Sequence, residues 1–143
     1  MSNSSTTCVD AGCVVRLVAD PFDLRIQHLW TQWQEEGRIF VAPTLLLSEV
    51  TNALHRYHRT GDRIIETMRS AQFKAFQLQI KFHGDTGLHR SAFEYAARFS
   101  LPAAYDAHYL ALAERLGADF WTTDRRLVKV VRPDLPWVRL VDE

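Results

Sequence analysis

Four carboxylates in this chain sit where carboxylates do not belong for packing reasons alone: Asp10, Glu49, Asp106 and Asp124. Asp10 and Asp124 each follow a short apolar run and precede a helical one, TTCV-Asp10 and DFWTT-Asp124. That places an acid where a strand ends and a helix begins. Ligand sites of open α/β sheets lie at such carboxyl ends. Asp106 heads a stripe of Tyr109, Leu110, Ala113 and Gly117 that recurs at helical spacing, so an acid begins a core-facing stripe. Glu49 flanks the apolar stripe Leu46, Val50, Ala53, Leu54 and Tyr57, in line with Asn52 and Arg56.

Each acid taken alone has a plainer reading. Asp106 can cap its helix by accepting a first-turn N–H, and Glu49 can pair with Arg56. Taken together, four acids in one crevice repel one another, and a hard divalent cation removes that repulsion. An all-oxygen set suits Mg²⁺ or Mn²⁺ and leaves positions for water and a substrate phosphate. Such an ion supplies a nucleophilic water and neutralises a phosphoryl group.

The elements that must position these acids follow from periodicity. Strands are expected at 6–9, 38–42, 118–122 and 137–141, with a short extended piece at 79–82. Helices are expected at 11–19, 23–36, 44–59, 62–78, 86–99, from about 105 to Gly117, and 125–131. Thr44 is expected to cap the third of these helices, and Pro43 to end the strand before it. Strands alternating with helices predict an α/β fold with a parallel sheet. The helices at 44–59 and 62–78 form an αα-hairpin with more apolar surface than one packing face uses. That surface serves either the core or a partner chain.

The 143 residues read as one domain, 1–143. Net charge is zero, so nucleic-acid contact would need a local patch. Arg125, Arg126, Lys129 and Arg132 form either a solvated face or a phosphate-binding rim. The two cysteines, Cys8 and Cys13, read as small buried residues of a reducing compartment. The opening segment 1–7 lacks the charged and apolar regions of a signal peptide, and no apolar run has membrane-spanning length. A cytoplasmic location is therefore expected. His55 and His58 lack further ligands for zinc and read as surface residues, and His108 is displaced from Asp106. No triad, P-loop or dinucleotide fingerprint competes with the acids. A receiver domain, also α/β with clustered acids, would need an acidic neighbour beside Asp10, which has none.

The segments VDAGCVVRLV, LSEVTNALHR, YDAHYLALAERLGADFWTTDRRL and LVDE together resemble a PIN-domain ribonuclease, most of all a VapC-type toxin of a toxin–antitoxin pair. The resemblance implies a three-layer α/β sandwich around a mostly parallel sheet. It places the family's acidic site on Asp10, Glu49, Asp106 and Asp124, with Thr122 as a supporting hydroxyl. It further implies a Mg²⁺-dependent endoribonuclease (Mn²⁺ substituting), an RNA substrate, a homodimer and a neutralising antitoxin. Arg56, Arg125 and Arg126 are the candidates for substrate phosphates. Gly12 departs from the family, which usually has a small polar residue there. The alternative is a PIN-like binding module that acts through an antitoxin on DNA, with little catalysis.

Overall fold

A computed structural model describes residues 5–143, so the first four residues of the polar opening segment lie outside the described residues. Among the described residues the strands are β1 (Thr6–Val9), β2 (Ile39–Pro43), β3 (Ile80–His83), β4 (Asp119–Thr122) and β5 (Val138–Leu140). The helices are α1 (Ala11–Ala19), α2 (Leu24–Glu35), α3 (Leu45–Arg59), α4 (Ile65–Gln77), α5 (Thr86–Arg98), α6 (Tyr105–Leu116) and α7 (Arg125–Val131). The strands form one sheet in the order β3-β2-β1-β4-β5, and every pairing is parallel.

Neighbouring residues of β4 show how the layers form. Phe120 stacks on Tyr109 of α6, and Trp121 meets Trp33 of α2 on the opposite face. Strand alternation thus sends one aromatic to each helical layer. Trp33, Tyr109 and Phe120 are fully buried, and burial of side chains this size stabilises a fold by roughly 2–3 kcal/mol each. Trp30, Trp33 and Phe40 close the α2 side as an aromatic cluster. Cys8 and Cys13 are both free and buried.

Three local expectations are corrected. The second hairpin helix begins at Ile65, not Asp62. Gly61 adopts φ 82°, and Asp62 and Arg63 both donate backbone N–H groups to Tyr57 O, so the turn consumes these residues. Thr44 makes no side-chain cap; its backbone is helical, and its N–H donates to His83 O beside β3. Pro43 does not stand beyond its strand but closes it, paired with His83.

The chain leaves β1 for β2 and β3 on one side, and returns for β4 and β5 on the other. Between β1 and β4 the strand order reverses. Diverging connections leave a crevice at the carboxyl ends of such a strand pair. Among the described residues no helix is long and apolar enough to cross a membrane.

Candidate active site

β1 ends directly before Asp10, and β4 directly before Thr123 and Asp124, so both acids stand at this reversal point. Asp10 is 8% exposed and is held by three donors. Cys13 N–H donates to Oδ1 at 2.8 Å, and Thr122 Oγ1 and Thr123 N–H donate to Oδ2 at 2.5 and 3.2 Å. Burial pushes the Asp10 carboxyl up from its ordinary range, and these hydrogen bonds oppose that rise. Asp124 caps α7 by accepting from Leu127 N–H at 3.1 Å. Thr122, 1% exposed, bridges the two strand ends: its hydroxyl donates to Asp10 and accepts from Asp124 N–H at 3.0 Å.

Asp106 is not the helix cap. Ala104 occupies that position, and Asp106 lies in the first turn of α6 with its side chain half-buried. Its carboxyl is pushed up to about 6, first by burial, then by the charges of Asp124, Asp10 and Glu49. The other three acids are therefore near enough to act on the Asp106 carboxyl, although the four come from two helices and two strand ends.

Glu49 makes no ion pair with Arg56. It accepts instead from the Tyr109 hydroxyl at 2.6 Å. Burial raises the Glu49 carboxyl, the Tyr109 bond lowers it, Asp10 raises it and His108 lowers it. Tyr109 is displaced far upward by burial and by Glu49, so it stays a protonated donor. Sequence reasoning placed Tyr109 in the core and missed this role. The available signal was a tyrosine three residues after Asp106: a buried phenol needs a partner.

His108 follows Asp106 by two residues on α6, with its ring nitrogens 2.8 Å from Ala104 O and from His89 Nδ1. His55 and His58 are exposed on α3. Arg125 and Arg126 are exposed at the start of α7, and Arg125 donates to Asp142 O at 3.3 Å. Arg56 lines a cleft of about 450 Å³ together with Gly12, Arg16, Glu49, Asn52 and Thr123. A larger cleft of about 750 Å³ lies at the amino ends of β2 and β3, among Trp30, Arg38 and Lys81, and holds none of the four acids.

Among the described residues, no three His, Cys, Asp or Glu side chains form a group closed tightly enough to hold a metal by itself. The chemistry of the donors still fits a hard cation. They are carboxylate oxygens only, and the charges of Asp124, Asp10 and Glu49 push the Asp106 carboxyl up where a cation would relieve it. An open arrangement of this kind suits an ion that keeps several waters.

The PIN domain family model matches residues 7–133, and the chain belongs to that family. No curated protein matches it by sequence alone. Among solved structures it is similar to PAE2754 from Pyrobaculum aerophilum, with TM-score 0.71 and 22% identity over 96% of this chain and 84% of that one. It is also similar to VapC20 from Mycobacterium tuberculosis, described as a toxin that cleaves the sarcin–ricin loop, with TM-score 0.61 and 16% identity over 82% and 87% of the chains. A third is VapBC2 from Rickettsia felis, bound to a DNA fragment from its promoter, with TM-score 0.64 and 8% identity over 94% and 96%. At these identities the likeness is one of fold.

Proposed function

We propose that this chain is a divalent-metal-dependent endoribonuclease acting as the toxin of a toxin–antitoxin pair. The observation that carries the reading is the Asp106 carboxyl, pushed up to about 6 by burial and by three other acids where the strand order reverses. Acids this mutually repelling are retained for function more readily than for stability.

In this reading Asp10, Glu49, Asp106 and Asp124 hold Mg²⁺, or Mn²⁺ in its place. Bound there, the ion supplies an acidified water and neutralises charge on the phosphoryl group. The chain's own residues fix the geometry. Thr122 ties Asp10 to the Asp124 backbone, and Tyr109 ties Glu49 to α6. Arg56, Arg125 and Arg126 meet substrate phosphates. A water would add to phosphorus and give up a proton, the ester P–O bond would break, and the leaving oxygen would take up a proton from solvent, cutting the RNA strand.

The partner is read from the α3–α4 hairpin. Phe73 and Phe76 on α4 are 61% and 54% exposed, an apolar face that suits a second copy or an antitoxin segment. The Rickettsia felis neighbour is a VapBC complex, which supports an antitoxin for this chain as well.

The test is cleavage of a mixed pool of structured RNAs by the purified chain with Mg²⁺ or Mn²⁺, with EDTA, and with Asp106→Asn. Cutting that needs the metal and Asp106 supports the nuclease. A wild type that neither cuts nor gains melting temperature from Mg²⁺ leaves the binding module as the better reading.

A further inference from the structure

Gly12 and Thr123 share one small space beside Asp10. A Cβ built on Gly12 would lie 2.1 Å from Thr123 Oγ1 and 3.3 Å from Asp10 Oδ1. The first turn of α1 therefore has no side chain at this point, and the β4–α7 turn fills the place with a hydroxyl. Thr123 is fixed there through its backbone, whose N–H donates to Asp10 Oδ2 at 3.2 Å. Its hydroxyl has no hydrogen-bond partner among the described residues.

The cleft that leads away from Glu49 adds the second observation. It is lined from α3 by Glu49, Asn52 and Arg56, and from the other elements by Gly12, Arg16 and Thr123. Its two cations are not equivalent. Arg16 is consumed internally: Nε donates to Asp23, and its two terminal nitrogens donate to Asp142 at 2.8 and 2.9 Å. Arg56 has no carboxylate partner among the described residues. A free guanidinium, a free hydroxyl and an amide on one cleft wall set form a donor group for a phosphate.

Resting on the nuclease reading above, we infer that Thr123 Oγ1, Arg56 and Asn52 form a binding subsite for an RNA backbone phosphate next to the one that is cut. Gly12 is the residue that makes room for it. Thr123 donates its O–H to a phosphate oxygen, and Arg56 supplies the charge. Thr123 is thus a substrate-binding residue whose hydroxyl depends on the absence of a side chain at position 12. Glu49 shares this cleft, so a cation at the acids strengthens phosphate binding there, while Thr123, Arg56 and Asn52 remain its donors without one.

The test is fluorescence anisotropy of a short labelled single-stranded RNA of mixed sequence with the full chain in EDTA, where no cutting occurs. Thr123→Val keeps the shape and removes the hydroxyl; the dissociation constant rises about fivefold. Thr123→Ser restores binding to within about twofold of wild type. Gly12→Ala forces the Thr123 hydroxyl aside and matches Thr123→Val. The double variant is no worse than either single one, because both remove the same contact. Arg56→Ala weakens binding and lowers the salt slope by about one. Equal binding by wild type, Thr123→Val and Gly12→Ala, with metal-dependent cutting intact in the wild type, overturns the subsite and leaves the nuclease standing. Additive losses in the double variant also overturn it. A wild type that neither binds nor cuts RNA overturns both readings.

Discussion

Tyr109 on α6 donates its hydroxyl to Glu49 on α3 at 2.6 Å, across 60 positions of sequence. The bond joins two helices that follow different strands, and it aims a carboxylate that its own helix leaves at the edge of a buried face. Glu49 is thereby positioned from outside its own element.

Tyr109→Phe tests this directly. The ring stays buried against Phe120 while the donor is lost. The expected cost is about 1–2 kcal/mol of stability, with a fall in cleavage of about tenfold as Glu49 is released. Thermal melting and initial rates on the same preparation separate the two effects. An unchanged rate would show that Glu49 does not depend on Tyr109.

Asp106→Asn is expected to stabilise the metal-free protein at neutral pH. The folded carboxyl titrates near 6, above its ordinary value of 3.8, so folding favours its protonated form. Wild-type stability is therefore complete below about pH 4 and declines as pH rises through about 6. The variant escapes that decline. Its gain at pH 7.5 is about 1 kcal/mol, since solvent screens a partly exposed group, and it vanishes near pH 4. Melts in EDTA at the two pH values check the sign; a lower melting temperature for the variant at pH 7.5 would make Asp106 structural. The same variant is expected to lose cleavage by at least about 100-fold.

Mg²⁺ is expected to raise the wild-type melting temperature in proportion to its saturation of the site. The rise is expected to shrink in Asp106→Asn and in Asp124→Asn, with EDTA reversing it. Titration by differential scanning calorimetry reads this without any RNA. Equal Mg²⁺ effects in wild type and both variants would place the cation elsewhere.

Phe73→Ser and Phe76→Ser act on the exposed face of α4. Neither ring belongs to the buried core, so melting temperature is expected to change little. If α4 is the self-association face, mass by light scattering falls from two copies to one in the double variant. An unchanged dimer would move the interface off the hairpin.

Thr122→Val removes the hydroxyl that bridges Asp10 and the Asp124 backbone. A buried carboxylate then loses a donor, and the expected cost is about 2 kcal/mol of stability with cleavage lowered as well. Thr122→Ser is expected to recover both, and failure of that rescue would point to packing rather than hydrogen bonding.

The sequence by itself determined the elements and the identities of the acids. Strand TTCV followed by Asp10, and strand DFWT followed shortly by Asp124, could be read locally, because apolar periodicity and capping residues act within a few positions. Both acids do cap their helices, accepting from the N–H three residues on. The parallel sheet also followed, since strand–helix alternation leaves few other ways to bury the strands. Only the tertiary structure decided the rest. The order β3-β2-β1-β4-β5, which puts the Asp10 and Asp124 ends side by side, depends on pairing between strands over 100 residues apart. Glu49 takes Tyr109 rather than Arg56, because the packing of α3 near α6 offers a buried donor that helix spacing does not reveal. Thr123 enters the space at Gly12 for the same reason: two turns distant in sequence are brought into contact, and no local pattern records what fills the gap.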